Sequence, residues 1–123
     1  MRERHQYDNP ELVLEVIVQT MQDRKGSNIV SLNLKTIHTA VTDYFVICHA
    51  ASKTQVGAIA DHILEKVSKQ TGVKPYNKEG FENAEWILID YIDVVVHVFL
   101  ENTRDFYKIE KLWADAQLTA YEA

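Results

Sequence analysis

Ser52, Asp90 and Asp93 are the residues whose types could together carry out a reaction. A serine at a helix N-terminus can bind phosphate, and paired carboxylates can hold magnesium, which together equip a site for nucleotidyl transfer. Ser52 does open a stretch that reads as a helix, but Ala50 and Ala51 precede it, so no glycine lets the backbone close on a phosphate. Asp90 and Asp93 are three apart. On a strand that spacing sends side chains to opposite faces, so only a turn could unite them. The plainer reading is a helix cap and two solvated turn acids. The histidines are His5, His38, His49, His62 and His97, and none makes H-x-x-x-H or zinc spacing with a cysteine. His97 falls in an apolar run on the same face as Val95 and Phe99, and reads as a hydrogen-bonded sheet histidine before it reads as a ligand or base. His49 could approach it from another strand. Cys48 and His49 are adjacent, so their side chains point to opposite faces and do not form a Cys–His pair. There is no P-loop, G-x-G-x-x-G or nucleophile elbow. The chain therefore reads as a protein that is not an enzyme, with no cofactor and no metal; an active nucleotidyltransferase, binding nucleotide and metal at Ser52, Asp90 and Asp93, is the weaker alternative.

The elements that must position these residues follow from the apolar spacing. Asn9-Pro10-Glu11 is a helix start, with Asn as cap, Pro at the first helical position and Glu facing the positive helix end. Leu12, Val13, Val16, Ile17 and Met21 give its apolar face, and Gly26 is the expected stop. Strands are predicted over 29–34 and 44–48. Ser52 to Gln55 fits a capping box, followed by a helix ending at Gly72. Residues 74–77 suit a short strand. Trp86 to Tyr91 and Val94 to Leu100 read as a hairpin of central strands covered on both faces, since they are almost continuously apolar. Asn102 is the expected cap of a last helix whose packing face is Phe106, Ile109, Leu112 and Trp113. The tail after Asp115 is expected to fray, as is the N-terminal end. The fold class is α/β, a mixed β-sheet flanked by helices in the order α-β-β-α-(β)-β-β-α.

The 123 residues suit one domain over 1–123, and 46% hydrophobic with 25% charged residues is a globular composition. A net charge of −5 argues against broad contact with phosphate backbones, though not against a partner with basic patches of its own. The single cysteine, Cys48, reads as a buried, inert thiol that forms no intrachain disulfide. The polar start lacks the apolar core of a signal peptide, Arg2 and Arg4 are too few for a transit peptide, and no run is long enough to span a membrane. The expected location is the cytoplasm. Between residues 79 and 115 nine acids face three bases, and these acids surround Trp86 and Tyr91. An exposed aromatic ringed by carboxylates would anchor a basic protein surface; the competing reading places Trp86 in the core, with the acids merely solubilising.

Thr42-Asp43-Tyr44-Phe45-Val46-Ile47, then Ser52 and Gln55, Glu79-Gly80, the block from Trp86 to Phe99, Arg104-Asp105-Phe106-Tyr107 and Leu112-Trp113 resemble, in this order, the Iojap/RsfS family of ribosomal silencing factors. The resemblance runs from about residue 11 to residue 116. It implies a nucleotidyltransferase-like α/β fold without known catalysis. It also implies binding to ribosomal protein number fourteen of the large subunit, at the face that meets the small subunit. Subunit joining is thereby blocked and translation lowered when nutrients are scarce. Some members act in large-subunit maturation, and several form homodimers. Carried onto this chain, the docking residues are Trp86, Asp90, Tyr91 and Asp93, with Glu79 and Gly80 nearby and Thr42, Asp43 and Tyr44 next. Arg104, Tyr107 and Trp113 look like architecture. One departure stands out. The family has glycine between the hairpin's Tyr and Asp, where this chain has Ile92. Because isoleucine avoids positive φ, the turn is expected not to need left-handed geometry there.

Overall fold

The computed structural model describes residues 9–122, so the expected fraying of the N-terminal end lies outside the described residues. Helix α1 spans Pro10–Asp23, and the Asn9 side chain accepts the Leu12 N–H at 3.1 Å, as the sequence requires. It is followed by β1 (Ser27–Asn33), β2 (Tyr44–Ala50), α2 (Lys53–Thr71), β3 (Asn77–Glu79), β4 (Trp86–Asp90), β5 (Val94–Leu100), α3 (Glu101–Tyr107), α4 (Ile109–Leu112) and β6 (Gln117–Tyr121). The strands form one sheet in the order β3-β4-β5-β2-β1-β6. β2 and β5 pair in parallel at its centre, and the other neighbours are antiparallel. The expected mixed sheet flanked by helices is thus the observed fold.

One face of the sheet carries the main core. Val13, Val16, Ile17 and Met21 of α1 and Val56, Ile59, Ile63 and Val67 of α2 pack on Val46, Cys48, Ile87, Ile89, Val96 and Val98. The opposite face holds a smaller cluster of Leu32, Leu34, Ile47, Phe99 and Ile109, with Phe45, Trp86 and Trp113 packed at its margin. Alternating strand residues feed both clusters, which is why the central strands are apolar almost throughout. Cys48 and His49 do fall on opposite faces, and burial pushes the Cys48 thiol up to about 12.

Several local expectations need correction. α1 stops at Asp23 with Lys25 in the left-handed region, one residue before Gly26. The Ser52 hydroxyl accepts the Gln55 N–H at 3.2 Å, but the Gln55 amide reaches the Lys25 carbonyl, so only half of the capping box forms. The short strand lies at Asn77–Glu79 instead of 74–77. Asn102 caps nothing: α3 grows directly out of β5, with Leu100 at the cap position. The last helix is also two helices, because Lys108 adopts φ 47° between α3 and α4. That break destroys the i, i+3, i+4 stripe. Phe106 and Leu112 are consequently 78% and 75% exposed, and only Ile109 and Trp113 face the sheet. The segment after Asp115 is ordered as β6, which pairs with β1 from Ile29↔Tyr121 to Asn33↔Gln117.

Candidate functional site

Asp90 ends β4 and its carboxylate accepts the Ile92 N–H at 2.7 Å, closing a small turn within the chain's tightest hairpin. The Asp93 N–H donates to the Tyr91 carbonyl at 2.9 Å, and Ile92 between them has φ 75°. This is a γ-turn of the strained hand, centred on a β-branched residue. The expectation that Ile92 would exclude positive φ is therefore overturned. The side chain is 4% exposed, and its burial offsets the backbone strain. Across the turn the Asp93 carbonyl accepts the N–H groups of both Asp43 and Tyr44 at 3.1 Å. The segments 42–44 and 90–93, far apart in sequence, thus meet at one end of the sheet.

The proposed docking residues divide by burial. Tyr91, Asp93, Thr42 and Tyr44 are buried and shape the surface from beneath. Trp86, Asp90 and Asp43 are half-buried, while Glu79 and Gly80 are exposed. Tyr44 donates its hydroxyl to Glu11 at 3.0 Å, and Lys35 donates to the same carboxylate at 2.8 Å. The lysine's hydrogen bond holds Glu11 below the usual carboxylate range, and the same bond raises Lys35. Gly80 has φ 87°, and a Cβ there would meet the Trp86 carbonyl oxygen at 2.1 Å. Its contribution is the close approach of the backbone to Trp86. With Glu79, Trp86 and Leu88 it lines a shallow depression of about 330 Å³.

Trp86 belongs to an aromatic group that reading along the sequence did not assemble. It pairs across the hairpin with Phe99 (ring centroids 4.8 Å apart) and packs on Tyr107 at 5.0 Å. Its indole N–H donates to His97 Nδ1 at 3.0 Å. Phe45 stands edge-on to His97 at 4.7 Å, and Trp113 edge-on to Phe45 at 5.9 Å. Tyr107, read as architecture, is 51% exposed and extends the surface beside Trp86. The hairpin register would have revealed this group: once Tyr91 and Val94 flank the turn, Trp86 must face Phe99.

Arg104 does hold the last helices to the sheet. It is buried and donates to Glu110 at 2.7 and 3.0 Å, to the Asn28 carbonyl at 2.8 Å and to His49 Nδ1 at 3.0 Å. Burial first, and the Arg104 charge second, lower the His49 pKa. His49 thus faces Arg104 and not a catalytic partner. The constellation of Ser52, Asp90 and Asp93 is not assembled. Tyr44↔Val94 and Ala50↔Leu100 mark opposite ends of the central strand pair, so Ser52 and the turn acids lie about 20 Å apart at ~3.3 Å per residue. Among the described residues no group of three or more His, Cys, Asp or Glu side chains is placed to hold a metal ion, and no helix is long and apolar enough to cross a membrane.

Residues 7–123 match the family model described as "Ribosomal silencing factor during starvation". A ribosomal silencing factor RsfS from Halalkalibacterium halodurans is 46% identical over 114 residues, covering 93% of this chain and 95% of its own. The RsfS of Bacillus subtilis is 40% identical over 89% of this chain and 92% of its own. The mouse protein named for mitochondrial assembly of the ribosomal large subunit is 39% identical over 58% of this chain and 32% of its own. Among solved structures, a protein from Chromobacterium violaceum superposes with a TM-score of 0.79 at 32% identity, covering 92% of each chain. One from Bacillus halodurans gives 0.73 at 43% identity, covering 94% of this chain and all of the other. With a family model spanning nearly its whole length and relatives of matching size and fold, this chain belongs to the ribosomal silencing factor family.

Proposed function

We propose that this protein docks on ribosomal protein number fourteen of the large subunit and sterically blocks joining of the small subunit, repressing translation in the cytoplasm when nutrients are scarce. The observation that carries this reading is Trp86, a half-buried indole at the margin of the less covered face of the sheet, with Glu79 lining the same depression. The acids do not ring it as the sequence suggested: Asp90 ends the same strand about 13 Å away at ~3.3 Å per residue, beside Asp43 and the buried Tyr91 and Asp93. A large aromatic beside one carboxylate, with further acids at the far end of the same strand, suits a basic protein surface, because the indole supplies desolvated area and the acids supply orientation. A second reading, assembly of the large subunit, draws on the name of the mouse relative and uses the same surface at an earlier time. A homodimer is the other association that the family resemblance implies.

The test is co-sedimentation of the purified protein with large subunits, with small subunits and intact ribosomes as controls. Selective binding to large subunits, and loss of joining when small subunits are added, is the expected result. Trp86→Ala should weaken binding by about 1–4 kcal/mol while circular dichroism stays native. Asp90→Lys should weaken it as well, and rising salt should diminish the binding. Absence of binding to every ribosomal particle would overturn the proposal. Accumulation of immature large-subunit precursors on gene deletion would move the assembly reading to the front.

A further inference from the structure

His97 lies under the docking surface in an arrangement that stability alone does not require. It is 4% exposed. An indole N–H can only donate, so the 3.0 Å bond from Trp86 makes Nδ1 the acceptor and places the imidazole proton on Nε2. That Nε2 is buried and has no hydrogen-bond partner among the described residues. A buried donor without an acceptor is destabilising, so an apolar side chain at this position would serve the core better. What the histidine does supply is the acceptor for Trp86. Phe99 and Tyr107 fill the space around the indole, with ring centroids at 4.8 and 5.0 Å, but stacking leaves a ring free to slide in its plane. A hydrogen bond to the ring edge removes that freedom.

We infer that His97 is a positioning residue for docking: it fixes the indole plane of Trp86 and turns the ring's one polar atom inward. This deepens the docking reading given above and rests on it. The consequence is selectivity. With its N–H engaged, Trp86 offers a partner only apolar edge and π-face, with the Glu79 carboxylate in the same depression. Such a surface gains from the aliphatic stem and cationic head of a lysine or arginine. It gains nothing from a phosphate or carbonyl oxygen, which would need the indole as donor. The Trp86–His97 pair therefore selects basic protein over the RNA backbone that surrounds it on a ribosomal particle.

Two substitutions separate positioning from packing. In His97→Asn the amide oxygen occupies nearly the place of Nδ1 and keeps the acceptor, while volume is lost. In His97→Phe the ring is kept and the acceptor removed. A packing role predicts that Asn is the worse substitution, and a positioning role predicts that Phe is. The first readout is the indole N–H resonance of Trp86 in ¹H–¹⁵N spectra, distinguished from that of Trp113 by a Trp86→Phe sample. Wild type and His97→Asn should show a downfield, slowly exchanging signal, and His97→Phe a signal at the free-indole position that exchanges fast. The second readout is affinity for purified large subunits, expected to fall about tenfold in His97→Phe and by less than about threefold in His97→Asn. An indole signal unchanged in His97→Phe, or an affinity loss larger in His97→Asn, overturns the inference. If wild-type protein fails to bind large subunits, the docking reading falls, and the indole signal still decides whether His97 positions Trp86.

Discussion

His97 answers to the solvent as well as to Trp86. Burial pushes its imidazole down to about 4, from the 6.5 of a free histidine, so it stays neutral in the folded chain. Between those two values the unfolded chain binds more protons than the folded one. Stability is then full above pH 6.5 and declines as pH falls toward 4. The shift corresponds to roughly 3 kcal/mol across that window, at about 1.4 kcal/mol per pH unit. Urea midpoints measured from pH 7.5 to 4 should follow this decline, and His97→Asn should flatten it. The flattening will be partial, because His49 is depressed in the same direction. Glu11, held low by Lys35, adds a further loss of the same sign at lower pH. A slope unchanged in His97→Asn would place the acid sensitivity elsewhere. At this scale the sequence was legible for residue types and not for pairings. Trp86 and the acid-rich segment could be picked out from composition, but not that the turn acids lie at the other end of β4 from Trp86. The Trp86–His97 bond needed the cross-strand register, and the burial of Tyr91 and Asp93 needed the turn that folds them under.

The elements around the site depend on two unusual backbone positions with opposite sequence logic. At Gly80 the residue matches its conformation, and a methyl group would strike the Trp86 carbonyl. Gly80→Ala should therefore cost at least about 2 kcal/mol in chemical denaturation and broaden the indole signal of Trp86. A variant as stable as wild type, with an unmoved indole, would show that the loop can yield. At Ile92 residue and conformation conflict. Ile92→Gly loses a buried side chain worth about 1.5–3 kcal/mol but relieves strain of about 1–3 kcal/mol. The net change should stay within about 2 kcal/mol, whereas Ile89→Gly in the neighbouring strand, with no strain to relieve, should cost about 4 kcal/mol or more. Equal losses at the two sites would mean that the turn stores no strain. The helices and central strands were legible because each has a long periodic or continuous apolar run. The break at Lys108 and the left-handed Ile92 were not, since local preference argues against both and only the surrounding contacts impose them.

Over the whole molecule the two faces of the sheet are unequally covered. α1 and α2 seal one face, whereas α3, α4 and the segment around Ile37 and Ala40 cover only part of the other, with Trp86 at the margin. β6 closes the far edge: Tyr121 packs on the main core and hydrogen-bonds Ser31 at 2.9 Å. Truncation after Ala116 should lower the melting temperature by several degrees, since a loss of ~1 kcal/mol shifts a chain of this size by about 4 °C. It should also leave β1 as a bare edge that drives self-association, visible in sedimentation velocity. A monomer with unchanged melting would show that β6 contributes little. β6 was hidden in the sequence because its residues are mostly exposed and its partner, β1, is remote along the chain. The parallel centre of the sheet was hidden for a related reason, as pairing partners leave no local mark. That centre also sets a timetable for the chain's self-assembly. Joining Tyr44 to Val94 closes a long loop, while β4 and β5 need only the short turn between them. The hairpin bearing Trp86 is thus the cheaper structure to form early. The later arrival of β2 should therefore limit folding: in stopped-flow measurements substitutions in β2 should slow folding, whereas loss of β6 should speed unfolding.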